Sequence, residues 1–436
     1  MVSRVFCLLF CFALSLSGWL TQNSLAADKG FGLEIIPDKA GHLYELGDTA
    51  VFKITVKNPN ALQGPFRIEY RMTEDNERLL REGVLEAAGG GSELRGSLDR
   101  PGFLSLELVL IAGADTVRRS CACGFDPLSI RPTNVLPEDF ERFWLQGRAE
   151  LLRVPLDVRL ESLPDSAGPK AKAYKISFAN IENSRIFGWL TVPDGQGPFP
   201  AVLSLPGAGV GEHGPKSEYS DAGMIVLTFN IHGIEVGKDK QYQSWLRDGP
   251  LNGYPHFGSD DPYRFYYRRV ILGAFRALDY LSTREDVDTT RLAVSGSSQG
   301  GALSLLVAGL DKRVKALTAN VPAMCDHTGS LYGRPSGWPR LLAHGDLERV
   351  RRTSGYYDAA LTAGFITAPA LVAVGFIDRT CAPTTVYAAY NNLKGPKVID
   401  NFPDMGHAYG PGWTERRVKW LLDALNRNPA DQKAGN

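Results

Sequence analysis

The sequence predicts two architectures in series: an all-β segment, then an α/β segment built on a mostly parallel central sheet. Two observations carry this. Between residues 28 and 124 apolar residues recur with a period of two, and no helical spacing intervenes. From residue 137 onward short apolar runs alternate with helical patterns, as a parallel sheet with crossover helices requires. A third observation bears on chemistry. The turn Gly296-Ser297-Ser298-Gln299-Gly300 stands between an apolar strand and the helix that follows it.

The first 27 residues read as an export leader. Arg4 gives a short positive region, residues 5–16 are apolar or small, and Ser24-Leu25-Ala26 offers the small residues a signal peptidase reads. The apolar run falls short of the roughly 20 residues a membrane span takes. An uncleaved anchor is the competing reading of this segment. The pattern predicts a secreted or periplasmic protein with no stable span after cleavage. Four cysteines then remain, Cys121, Cys123, Cys325 and Cys381. They are too few for a disulfide scaffold, and Cys121-Ala122-Cys123 lacks a second ligand pair at zinc spacing.

Residues 28–124 read as a small immunoglobulin-like sandwich. Phe52, Ile54 and Val56 form one alternating row, Phe66, Ile68, Tyr70 and Met72 a second, and Leu104, Leu106, Leu108 and Leu110 a third. Turn material separates them, including Asn58-Pro59-Asn60 and Asp99-Arg100-Pro101-Gly102. No cluster suited to chemistry stands out here, so removing the segment is expected to leave an active enzyme.

Residues 125–436 read as the catalytic domain. A proline-punctuated linker leads into an amphipathic helix over 138–152. Residues 173–181 and 185–192 read as an antiparallel pair, and 201–205 and 224–229 as short buried strands. A long helix over 266–282 precedes the strand at 292–294. Strands at 314–319, 370–374 and 398–400 and a helix over 416–425 close the chain. Residues 233–263, rich in Gly, Pro, Trp, Tyr and Asp, read as an insertion near a pocket mouth.

The chemistry lies in chain order. A strand turning sharply into a helix around G-x-S-x-G projects its serine, here Ser298. Asp378 follows the strand at 370–374, and His407 follows one strand later. Ser, then Asp, then His, each after a strand, is the α/β-hydrolase order. A serine needs a base to become a good nucleophile, and His407 is the histidine placed to serve. Asp378 would orient the imidazole; Asp400 and Asp404 compete for that role. An oxyanion hole needs two backbone donors, expected from Gln299 N–H and from Ala208 in Pro206-Gly207-Ala208-Gly209. Cys325 and Cys381 are placed near the catalytic rim, as packed thiols or as a disulfide. Nothing in this residue set calls for a cofactor or a metal.

Lys plus Arg and Asp plus Glu both number 48. That balance excludes a basic nucleic-acid or membrane-binding surface and suits a neutral, polar substrate.

The motifs around Ser298, Asn320-Val321-Pro322-Ala323-Met324-Cys325-Asp326, Phe376-Ile377-Asp378-Arg379-Thr380-Cys381 and Tyr266-Tyr267-Arg268-Arg269 resemble the acetyl xylan esterase and cephalosporin C deacetylase family, carbohydrate esterase family seven. The resemblance covers roughly residues 125–430. It implies a serine esterase that deacetylates carbohydrate, with Ser298, Asp378 and His407 as triad and Ala208 and Gln299 as oxyanion donors. It also implies a small acyl pocket, crowded by Pro206, Cys325 and the insertion. Three motifs depart from the family. Its Arg-Gly-Gln is His232-Gly233-Ile234 here, its His-Glu is His407-Ala408, and its His-Gly-Tyr is Pro206-Gly207-Ala208. The departures bear on acyl and sugar preference and on the ring of six subunits typical of compact members. A peptidase or amidase of the same fold, and a non-catalytic carbohydrate-binding relative, are the competing functions.

Overall fold

The computed structural model describes residues 30–427 apart from 63, 86–90 and 164–169, so the leader at 1–27 lies outside the described residues. The N-terminal segment forms eight strands: β1 (Gly32–Pro37), β2 (Leu43–Tyr44), β3 (Ala50–Lys57), β4 (Phe66–Glu74), β5 (Arg78–Leu85), β6 (Ser92–Gly96), β7 (Gly102–Ala112) and β8 (Asp115–Phe125). They build two sheets, of order β1-β3-β6 and β2-β8-β7-β4-β5. The three rows read from the sequence are β3, β4 and β7. Their apolar sides, with Phe52 and Ile54 on one sheet and Ile68, Leu106 and Leu108 on the other, share one core. The C-terminal half of β8, Cys121 to Phe125, shows no alternation in sequence because it is buried on both faces. Cys123 belongs to the core between the two sheets, while Ala122 belongs to the large core of the α/β part.

The remaining elements are α1 (Phe140–Leu152), β9 (Arg159–Leu163), β10 (Ala171–Ala179), β11 (Arg185–Pro193), β12 (Phe199–Leu205), α2 (Ser217–Ser220), β13 (Ile225–Asn230), α3 (Lys240–Asp248), α4 (Tyr266–Thr283), β14 (Val287–Ser297), α5 (Gln299–Leu310), β15 (Val314–Asn320), α6 (Leu347–Tyr357), α7 (Ala359–Thr362), β16 (Ala370–Gly375), α8 (Pro383–Asn392), β17 (Lys397–Phe402) and α9 (Trp413–Asn426). Nine strands form one sheet in the order β17-β16-β15-β14-β12-β13-β11-β10-β9. Strands β12 to β17 pair in parallel, and β11, β10 and β9 add antiparallel partners at one edge. This is a mixed α/β architecture consistent with the α/β-hydrolase fold.

Helices cover both faces of the sheet. Leu203, Val294 and Leu317 face α4 and α5, while their neighbours Val202, Ala293 and Ala316 face Val418 and Leu421 of α9. A sheet buried on both sides needs apolar runs rather than alternation. Strand order reverses at β12, which has β13 on one side and β14 on the other. Ligands of open α/β sheets bind at the carboxyl ends of the strands beside such a reversal. Ser298 follows β14, and the Pro206–Gly209 loop follows β12. Among the described residues, no helix is long and apolar enough to cross a membrane.

Candidate active site

Ser298 occupies the turn between β14 and α5 with φ 57° and ψ −121°. A non-glycine residue held in this sparsely populated region is strained, and the strain aims its hydroxyl away from the backbone. The turn is possible because the backbone crosses itself at two glycines. A Cβ on Gly296 would sit 2.3 Å from the Gly300 carbonyl carbon, and one on Gly300 would sit 2.1 Å from Leu205 O. Asn320, at the end of β15, braces the turn: its carbonyl accepts from Ser298 N–H at 2.9 Å, and its amide donates to Ser297 Oγ at 2.8 Å.

The three residues singled out from the sequence come together. His407 Nε2 lies 2.9 Å from Ser298 Oγ, and His407 Nδ1 lies 2.8 Å from Asp378 Oδ2. The partners set the tautomer: Nδ1–H donates to the carboxylate, and Nε2 is left to accept from the serine. Asp378 is fully buried, and its other oxygen accepts from the N–H groups of Thr380 and Cys381 at 2.8 and 2.9 Å. Three donors therefore hold this carboxylate in place. Of the competing carboxylates, Asp400 pairs with Arg416 and Asp404 is exposed.

Asp378, Cys381 and His407 crowd their ligand-type atoms within 4.8 Å of one another. This is a poor metal donor set. Both Asp378 oxygens are engaged, and burial holds the Cys381 thiol well above its ordinary value, so it stays protonated. Cys325 and Cys381 are free and fully buried. They are packed thiols, the first of the two readings the sequence left open, and not a disulfide.

Gln299 contributes more than a backbone N–H. Its side chain, fully buried, makes four hydrogen bonds, which saturates an amide. Oε1 accepts from the hydroxyls of Tyr254 and Tyr267, both at 2.7 Å, and Nε2 donates to the carbonyls of Pro206 and Gly207 at 3.3 and 3.2 Å. The loop that carries Ala208 is thereby tied to the helix that follows Ser298. Two further groups hold the same loop. Gly209 N–H donates to Tyr254 Oη at 3.1 Å, and His232 Nε2 donates to Gly209 O at 3.0 Å. His232 Nδ1 accepts from Tyr266 Oη at 2.6 Å, which fixes that tautomer. Burial pushes the His232 imidazole down to about 4, so it works as a neutral linker.

The sequence reading missed Tyr254, Tyr267, His232 as a loop anchor and the side-chain role of Gln299. Tyr254 lies in the insertion assigned to the pocket mouth, so its location was legible and its partner was not.

The chain has named relatives among known proteins. A sequence profile described as acetyl xylan esterase (AXE1) matches residues 128–424. The chain belongs to the acetyl xylan esterase family. This esterase is a carboxylic-ester hydrolase, as its relatives are named. It is 32% identical over 374 residues to acetyl esterase Axe7A of Xylanibacter ruminicola, covering 83% of each chain. Among solved structures it resembles the acetyl xylan esterase of Paenibacillus sp. R4, with 31% identity and a TM-score of 0.60 over 68% of this chain and 98% of that one. Acetyl xylan esterase 1 of Thermoanaerobacterium sp. JW/SL YS485 gives 25% identity and a TM-score of 0.59 over 69% and 98%. The profile begins at residue 128 and so leaves the N-terminal strands of this esterase unmatched. The Axe7A match is longer than the chain from residue 128 onward, so it extends into those strands.

Proposed function

We propose that this chain is an exported serine esterase that removes acetyl groups from acetylated carbohydrate of the xylan type. One observation carries the mechanism: the continuous hydrogen-bonded chain from Ser298 Oγ through His407 to Asp378. His407 Nε2 takes the serine proton as Oγ attacks the acetyl carbonyl carbon. The oxyanion develops beside the Gln299 N–H, at the start of α5 where early amides have no intrahelical partner, and beside Ala208 N–H. His407 then returns the proton to the sugar oxygen as the C–O bond breaks, leaving acetyl-Ser298. Water attacks that ester with His407 again as base, and acetate leaves.

The carbohydrate part of the reading is supported by the names of the relatives, each an acetyl or acetyl xylan esterase. Export is supported by the leader read at 1–27. We read residues 28–124 as an immunoglobulin-like domain and 125–436 as the catalytic domain. The strand order supports this, with the first, third and sixth strands opposite the second, eighth, seventh, fourth and fifth.

The test is acetate release from acetylated xylo-oligosaccharide, with kcat/KM across p-nitrophenyl acetate, butyrate and octanoate. Ser298→Ala should lose activity by on the order of 10⁴-fold or more while keeping its fold. Retention of more than a tenth of the activity, or faster turnover of octanoate than acetate, would reject the reading.

A further inference from the structure

Two loops place His407 and its carboxylate partner, and both are held from outside the matched family region. The loop after β16 carries Asp378. Its carbonyls at Phe376 and Asp378 accept from Asn76 Nδ2 at 3.0 and 3.5 Å. Asn76 sits at the tip of the β4–β5 hairpin with φ 61°, a left-handed conformation that asparagine tolerates in tight turns. Its amide cannot flip freely, because Ser105 Oγ on β7 donates to Asn76 Oδ1 at 2.6 Å. Asn76 and Ser105 are both buried.

The neighbours of this clamp repeat the pattern. Asp75 accepts from Thr384 Oγ1 on α8, and Phe103 stacks edge-on against Phe376 at 4.8 Å. Arg379, next to Asp378, pairs with Glu107 of β7 at 3.0 Å. The second loop, between β17 and His407, is held too: Pro403 O accepts from Ala122 N–H of β8 at 3.0 Å. The two loops meet where Ile377 N–H donates to Met405 O at 3.1 Å.

We propose that Asn76 is a positioning residue for ester hydrolysis, holding the Asp378 loop so that the carboxylate meets His407 Nδ1. This rests on the Ser298–His407–Asp378 assignment proposed above. The Asp378 carboxylate is fixed by the amides of its own loop, so its direction depends on where the loop carbonyls are pinned. Asn76 is the side chain that pins two of them, one on each side of Ile377. Without its amide, Phe376 O and Asp378 O lose a buried donor, and the loop relaxes away from the imidazole.

The test uses the full-length protein and p-nitrophenyl acetate. Asn76→Gly removes the amide and keeps the left-handed backbone unstrained. It should lower kcat by on the order of 10- to 100-fold, the scale of a sub-ångström to 1 Å misplacement, with KM within about twofold. Ser105→Ala, which frees the amide to rotate, should give a smaller fall of the same kind. Thr384→Val breaks a contact of the same interface without touching a loop carbonyl; it should lower the melting temperature and leave kcat within about twofold. The proposal is overturned by Asn76→Gly with kcat within twofold of wild type, or by losses of kcat that follow melting temperature across all three variants. Should Asn76→Gly fail to fold, wild-type kcat in Ser105→Ala overturns it. Ser298→Ala runs alongside: an active Ser298→Ala defeats the underlying assignment, whereas an inactive one beside a fully active Asn76→Gly defeats only the role of Asn76.

Discussion

Gln299→Ala offers the sharpest check on how the oxyanion loop is built. The substitution removes four hydrogen bonds from a fully buried position. Tyr254 keeps a partner, because Gly209 N–H still donates to it. Tyr267 is fully buried, and with Gln299 gone its hydroxyl loses the acceptor it donates to. The Pro206 and Gly207 carbonyls each lose a donor, and Pro206 is buried. Two strongly buried orphans at about 1–3 kcal/mol each, with a small cavity, put the cost at about 3–6 kcal/mol. Melting temperature should drop by roughly 4–9 °C. The catalytic effect is separate. A loop no longer tied to α5 presents Ala208 N–H imprecisely, and losing one oxyanion donor costs on the order of 10²-fold or more in kcat. KM should change little, because the oxyanion exists only at the tetrahedral stage. Gln299→Glu keeps the volume but turns an acceptor oxygen toward the Pro206 and Gly207 carbonyls at a fully buried position, so it too should lose both kcat and stability. The assays are thermal denaturation and kcat on p-nitrophenyl acetate. A Gln299→Ala protein that melts within about 1 °C of wild type and turns over within twofold would refute the reasoning.

Two other outcomes follow from the N-terminal strands. Burial raises the Asp75 carboxyl to about 7 against an ordinary 3.8, with Glu74 adding to the shift and Thr384, Phe103 N–H and Arg334 opposing it. The folded chain therefore keeps this proton between about pH 4 and 7 where the unfolded chain does not, so stability from this group falls as pH rises through that window and is level above it. Asp75→Asn should melt higher than wild type at pH 8, with the gap closing toward pH 5; an equal gap at both would count against a buried charge. Deleting residues 28–124, expected from sequence to be harmless, should instead lower kcat on p-nitrophenyl acetate by at least on the order of tenfold, because it removes Asn76 and bares Phe376. A truncated protein with full turnover would contradict this.

The sequence carried the α/β part well, because each of its signals is local. Apolar runs of five or six residues mark strands buried on both faces, and the elbow shows as a five-residue pattern between a strand and a helix. Asp378 and His407 were legible through chain order. The network around Gln299 was not, since its partners come from positions 206, 207, 254 and 267, which nothing local connects. Whether Cys325 and Cys381 form a disulfide was not legible either, because it depends on the distance between two segments far apart in sequence; both thiols are free and buried. The second half of β8 escaped for another reason: from Cys121 to Phe125 two cores compete for its two faces, and the alternation that marks a half-exposed strand disappears.

That double burial also decides what kind of attachment the N-terminal strands form. Contacts between loosely joined domains are polar, and relative motion is expected across them. Here Phe103 and Ala122 belong to the same apolar core as Leu205, Val294 and Phe376, so the boundary between the two parts runs through continuous packing. Phe103 also touches Tyr387 of α8, and Asn391 of the same helix donates to the carbonyls of Pro127 and Ile130 in the connecting segment. A module that swings on a linker to sweep substrate toward a site would need to break these contacts at each excursion, with a buried phenylalanine and a buried aspartate exposed each time. The arrangement instead suits a fixed brace. Its two lines of contact fall on the Asp378 loop and on the segment leading to His407.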